Sequence, residues 1–189
     1  MVSAFLPEKC FPVTPGCDYV GVVEAIGEKD DSLESHHYGV DIQVGDKVLC
    51  HCSIMKPHGG FAEYAIQTMH TAVKILPEME KYCAANKMNL YQVLAGLPCA
   101  SWTAYYSLYY ALKLSIVNTI VVTSGAGGVG GFVLQMLKAA NAKRAKDDKI
   151  KVFSTCSKQN FEKVEKYGAD VCIDYHSEDI VATVKKLTN

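Results

Sequence analysis

Residues 118–141, NTIVVTSGAGGVGGFVLQMLKAAN, constrain the fold more than any other part of the chain. Residues 119–123 are a β-branched run of the kind that makes a buried strand, and 132–140 read as a helix. Between them Gly125, Gly127 and Gly130 stand at G-x-G-x-x-G spacing, with Gly128 and Val129 filling the interval. In a strand-to-helix turn the first glycine allows the tight reversal. The second lets the backbone approach a pyrophosphate, and the third lets helix and strand pack closely. The N–H groups and positive end of the helix then face the phosphates. The spacing alone is a weak signal; a strand before it and a helix after it give it meaning. A glycine-rich turn with no ligand is the plain alternative.

At 189 residues the chain is long enough to bury a sizeable core. Its 19 Lys and Arg balance 20 Asp and Glu, so no net field draws it to nucleic acid or to an anionic membrane. The one basic cluster, over 143–151, is interrupted by Asp147 and Asp148 and reads as a solvated loop. Two uncharged stretches, 88–112 and 114–137, deserve comparison with membrane spans. The first carries Asn89, Gln92, Pro98 and Ser101 among its tyrosines, and the second contains the glycine turn. Neither resembles the run of about 20 apolar residues that a spanning helix needs. Residues 1–7 lack the basic and apolar regions of a signal peptide. Cysteines at 10, 17, 50, 52, 83, 99, 156 and 172 form no C-x-x-C pair. Reduced thiols in a soluble, cytoplasmic protein are the expectation, rather than a disulfide framework.

Ahead of the glycine turn the chain is a series of short segments. Pro15-Gly16 makes a turn before a strand at 19–25, 28–39 is a polar loop, and Val44-Gly45-Asp46 turns into a strand at 47–51. A loop at 55–60 precedes strands at 61–67 and 73–76, which together suggest a small β-barrel. From residue 78 the pattern changes. Helical character at 88–95 and 102–114 leads into strand, helix, strand, helix and strand at 119–124, 132–140, 151–155, 161–167 and 171–175, with a last helix at 180–187. Alternation of this kind implies a parallel sheet covered by helices. The fold class is therefore α/β, with a β-rich domain over 1–85 and a nucleotide-binding domain over 86–189.

The segments FPVTPGCDYVGVVEAIG, GDKV, GGFAEYAI, LPCASWTAYYSL, SGAGGVG and YGADVCIDY follow one another in the order seen in medium-chain dehydrogenases/reductases. The chain resembles that superfamily from about residue 11 onward, and most closely its zinc-independent quinone oxidoreductase branch, the zeta-crystallin-like proteins. The resemblance implies a partial GroES-like barrel followed by the first half of a Rossmann domain. A full dinucleotide-binding fold has two βαβαβ halves, whereas only strands one to three are read here. The sequence thus reads as a piece of a larger enzyme, and an isolated chain is expected to associate along its open strand edge and to bind cofactor weakly.

Zinc is raised by the same resemblance, because the alcohol-dehydrogenase branch holds a catalytic ion with Cys, His and Cys. Its Gly-His-Glu motif corresponds to Gly16-Cys17-Asp18, so a cysteine stands at the histidine ligand's position, and its last cysteine corresponds to Cys99. The first ligand would lie upstream of Met1. Two dispersed thiols do not make a three-ligand site, and Cys50, His51, Cys52 and His58 offer only a loose substitute for the structural zinc lobe. No metal is expected. Asp18 then caps or orients a turn.

NAD-binding forms of the fold carry an acid about 20 residues past the glycines, on the ribose 2′-hydroxyl. The second strand here ends in Ser154-Thr155-Cys156-Ser157-Lys158, with no acid. Hydroxyls and an ammonium accept a 2′-phosphate that a carboxylate would repel. In the resembled branch a lysine after this strand and a tyrosine after the next hold that phosphate, positions matched by Lys158 and Tyr175, with Ser154 and Ser157 alongside. Thr103 matches a threonine near the nicotinamide; its plain reading is a helix residue bonding its own backbone. Tyr64 and Tyr105 could line a cleft or pack in the core. No catalytic residue is singled out.

The resemblance implies hydride transfer from NADPH to a quinone or an electron-poor double bond, a small-molecule partner, and homo-oligomers among intact members. A nucleotide-binding fragment without catalysis and a zinc alcohol dehydrogenase relative are the competing readings.

Overall fold

A computed structural model of the chain describes residues 13–28, 41–52 and 58–188, apart from the His70 side chain. The loop read at 28–39 falls almost wholly outside these residues, as do residues 1–12 and half of the loop at 55–60. The chain divides into two compact units, Met1–Cys99 and Ala100–Asn189.

The first unit is built on a three-stranded antiparallel sheet in the order β1-β2-β3, with β1 at Asp18–Val22, β2 at Lys47–His51 and β3 at Ala72–Lys74. Val48, Leu49 and Cys50 of the central strand are all buried rather than alternating, because both faces of β2 are covered. Val48 and Cys50 join Ile42 and Ala72 in a small apolar cluster with Tyr19 and Val23. Helices α1 (Pro77–Ala85) and α2 (Leu90–Ala95) complete the unit, and α2 packs on β1 and β2. That packing carries the compact unit past residue 85, the boundary read from the sequence, as far as Cys99. Pro77 at the start of α1 is pre-set for the first helical turn, a helix the sequence reading left out.

The strand expected at 61–67 does not form. Backbone bonds from Gly59, Gly60 and Phe61 to the carbonyls of Thr14, Gly16 and Pro15 hold the start of this segment at 2.8–2.9 Å. Beyond Phe61 the chain bends, and Tyr64 and Ile66 stand 76% and 79% exposed. The apolar alternation that suggested a strand has no partner surface among the described residues.

The second unit holds a parallel sheet in the order β4-β5-β6, with β4 at Thr119–Val122, β5 at Lys151–Cys156 and β6 at Val171–Asp174. The register places Val122 beside Ser154 and Ser154 beside Cys172. Five consecutive residues of β5, Val152 to Cys156, are buried, as expected of a central parallel strand covered on both faces. Helix α3 runs Pro98–Tyr106 across the division between the units and passes into a π-helical turn at Ser107–Ala111. Helix α4 (Gly128–Ala142) lays Val133, Leu134 and Leu137 into the core with Val152 and Ile150, and α5 (Phe161–Tyr167) adds Val164. Helix α6 spans Ile180–Thr188, and Asp179 receives the Ala182 N–H at its start. Among the described residues β4 has β5 on one side and no strand on the other. No helix among them is long and apolar enough to cross a membrane.

One side chain fixes where β5 begins. The Asn141 amide donates to the Ile150 carbonyl at 2.9 Å and its oxygen accepts the Ile150 N–H at 2.9 Å. Ile150 is 1% exposed, so its backbone groups have little access to water. Replacing Asn141 with Ala strands both, and is expected to lower the urea midpoint of unfolding by the equivalent of about 1–3 kcal/mol at unchanged slope.

Candidate functional site

The turn between β4 and α4 is where chain direction and chemistry meet. Its left-handed residue is Ser124, with φ of +54°, and not the first glycine, which the sequence reading had credited with the reversal. Two bonds from the end of β5 hold the turn in place. Ser124 donates its N–H to Thr155 Oγ1 at 3.1 Å, and Gly125 donates its N–H to the Thr155 carbonyl at 3.0 Å. Thr155, which the sequence reading passed over, thus anchors the turn on both sides.

The glycines are required by close approach. A Cβ on Gly125 would collide with Ser154 Oγ, and one on Gly130 with the Ser124 carbonyl, with Gly125 Cα at 3.0 Å. Gly130 therefore keeps α4 against the end of β4, the packing role assigned to the third glycine. Gly127 is the N-cap of α4 and has no side chain to offer, which leaves the first N–H groups of the helix for an outside acceptor. Gly127, Gly128 and Val129 are exposed, whereas Gly125 and Gly130 are buried. A groove of about 460 Å³ runs along this turn, lined by Ser107, Leu108, Leu112, residues 120–124 and the 127–130 segment.

Gly127, Gly128, Val129 and Gly130 thus share one groove. The other candidates lie around the strand ends. Ser157 is half-buried and accepts a bond from Asn160 Nδ2 at 2.9 Å, while Lys158 is exposed at the start of a 3-10 turn, Lys158–Asn160. Tyr175 is exposed beyond β6, its ring 4.3 Å from that of His176. Thr103 is exposed on α3, and its carbonyl accepts the Ser107 hydroxyl at 2.8 Å. Ser154 does not lie open to a ligand. It is 0% exposed and its hydroxyl donates to the Val122 carbonyl at 3.0 Å, so it supports the turn from beneath. The core alternative for Tyr64 and Tyr105 also fails, since both are exposed.

A second constellation lies in the first unit. Asp18 and His51 are direct partners across β1 and β2, which brings His51 Nδ1 within 2.8 Å of Asp18 Oδ1. Both Asp18 oxygens accept the Cys99 N–H at 3.0 Å, and the Cys17 carbonyl accepts the Cys52 N–H at 2.8 Å. Donor atoms of Cys17, Asp18, His51 and Cys99 all lie within 4.8 Å of one another. The sequence reading treated Cys17 and Cys99 as dispersed. They are gathered because one carboxylate pins the Cys99 amide to the start of β1. Of the substitute set, only His51 joins the cluster: Cys50 and Cys52 are buried, and the Cys52 thiol donates to the Gly16 carbonyl at 3.2 Å.

Among the described residues the seven cysteines are free thiols. Burial pushes the Cys17 thiol up, with the Asp18 charge adding to the shift. Burial, then the neighbouring Cys156, pushes Cys172 up to about 12.

Residues 2–78 match the family model described as the alcohol dehydrogenase GroES-like domain. The chain is 34% identical over 185 residues to trans-enoyl reductase RAP1 of Pyricularia oryzae, covering 92% of this chain and 45% of that one. It is 34% identical over 175 residues to the chloroplastic NADPH-dependent alkenal/one oxidoreductase of Arabidopsis thaliana, with 89% and 38% covered. The solved quinone oxidoreductase of Coxiella burnetii aligns with a TM-score of 0.66 at 27% identity, over 92% of this chain and 46% of that one. The chain spans less than half the length of each of these relatives.

Placing a methyl on Gly130 tests the turn directly. The Ser124 carbonyl it meets is backbone and cannot swing aside, so Gly130→Ala is expected to cost about 1–3 kcal/mol in unfolding free energy. The same chain should lose affinity for a pyrophosphate-bearing nucleotide in calorimetry, while Gly128→Ala, at an exposed position, loses much less stability.

Proposed function

Because the chain belongs to the medium-chain dehydrogenase/reductase superfamily, we propose that it serves NADPH-dependent reduction of a quinone or an activated carbon–carbon double bond. The observation that carries this reading is the uncapped start of α4, open at a groove and seated on a β5 that ends without an acid. The backbone N–H groups of Gly127, Gly128 and Val129 bind the pyrophosphate, helped by the positive end of a fifteen-residue helix. Ser157 and Lys158 follow β5 and Tyr175 follows β6, where they receive the 2′-phosphate of the adenosine ribose. A carboxylate at that place would favour NAD instead.

When bound, the nicotinamide supplies the hydride. The chain's part is to fix the nucleotide along the turn and to hold its adenosine end by charge. Thr103 sits on α3 as the residue assigned to the nicotinamide side. No metal takes part in this step. The first unit is assigned to the acceptor side, and the free thiols fit a reducing compartment.

Cofactor preference gives the sharpest test. NADPH is expected to bind more tightly than NADH in calorimetry, and Lys158→Ala should narrow the gap about tenfold, the size of one charge-assisted phosphate contact. Consumption of NADPH should depend on an added p-quinone or α,β-unsaturated ketone. Equal affinity for both cofactors in the parent chain would refute the assignment.

A further inference from the structure

We propose that Lys163 is a further phosphate-binding residue of the nucleotide turn, placing a cation beside the pyrophosphate that the start of α4 receives. The inference deepens the cofactor reading and rests on it for the identity of the ligand. Lys163 is exposed on α5, and its Nζ donates to the Ala126 carbonyl at 3.4 Å. Ala126 lies between Gly125 and Gly127, the N-cap of α4. An ammonium from a different helix is thus set against the backbone of the turn itself. Lys158, by contrast, belongs to the segment that leaves β5.

Residues 124–130 contain no cation. The N–H groups at the start of α4 give a pyrophosphate direction but only the partial charge of a helix end, and Lys163 supplies the full charge. Two contacts keep it there. Its Nζ lies 5.7 Å from the centroid of the Tyr167 ring, one turn further along α5 and within range of a cation–π attraction. That ring is itself seated on α4, since a Cβ on Gly131 would stand 3.2 Å from Tyr167 Cε2. At 3.4 Å the bond to Ala126 is longer than the roughly 2.7–3.2 Å of a strong one, and an ammonium carries three donors. A phosphate oxygen therefore gains a charge-assisted bond at little cost to the turn. Glu162 and Glu165 occupy positions on α5 that do not face Lys163, so neither carboxylate is set to claim its charge.

The test titrates the full chain by calorimetry with NADPH, with NADH and with adenosine 2′-monophosphate, which has no pyrophosphate. Lys163→Met keeps an apolar stem beside Tyr167 and removes the charge. It is expected to bind NADPH and NADH about tenfold more weakly at low salt, the two in step, and adenosine 2′-monophosphate as the parent does. Its affinity for NADPH should also fall less steeply as salt rises, because one phosphate contact is gone. Lys163→Arg, which keeps the charge, should lose far less than Lys163→Met. A lysine that only props the Ala126 carbonyl would lower the melting temperature when replaced and leave the salt dependence as it was; that pair of results overturns the proposal. So does parental affinity in Lys163→Met, a loss confined to NADPH, or an equal loss for adenosine 2′-monophosphate. Equal binding of NADPH and NADH by the parent, both weakened in Lys163→Met, contradicts the cofactor preference and leaves Lys163 in place. A preference for NADPH that survives at full affinity in Lys163→Met does the reverse.

Discussion

The second unit depends on how the end of β5 grips the turn that follows β4. Ser124 holds a left-handed backbone that a serine adopts only at a cost. Its N–H is satisfied by Thr155 Oγ1, and the next N–H by the Thr155 carbonyl. Beneath them the Ser154 hydroxyl ties β5 back to Val122. These contacts keep the backbone of 124–125 close enough to α4 that only glycine fits at 125 and 130. The direction of α4, and with it the donors at its start, follows from that seating. A phosphate-binding turn of this kind is therefore a property of two strands and a helix together, with the glycines permitting the geometry and the hydroxyl residues of β5 fixing it.

In the first unit one carboxylate has a comparable place. Asp18 accepts bonds from the Cys99 amide and faces the His51 ring. It joins three chain segments that are far apart in sequence. The geometry of the cluster thus rests on a carboxylate that takes the part-buried Cys99 N–H on both oxygens and meets the His51 ring across the strand pair.

The parallel sheet was legible from residues alone because its signals are local. Strand β5, read at 151–155 and extending to Cys156, and the seven residues of α5 appear where they were read, and β4 is one of the strands read. The 61–67 segment misled because its alternation is real, yet a strand needs an edge to pair with, and the chain bends after Phe61. Helix α1 carries only one buried residue, Cys83, so its weak apolar pattern gave little signal beside Pro77. The glycines announced the turn, whereas the left-handed serine, the anchoring Thr155 and the burial of Ser154 depend on register between β4 and β5. His51 was hidden for the same reason. Pairing between distant strands is the quantity that spacing within one segment does not report.

The measurement that bears most directly on the nucleotide site is a heteronuclear amide spectrum of the labelled chain, recorded while NADP⁺ is added. The amides of Gly127, Gly128, Val129 and Gly130 are expected to shift together and in a saturable way, with Lys158 and Tyr175 shifting in parallel. A ligand lacking the 2′-phosphate should move the glycine amides and leave Lys158 nearly still. Saturable shifts confined to other parts of the chain, with the 127–130 amides unmoved, would contradict the assignment of this turn as the pyrophosphate site.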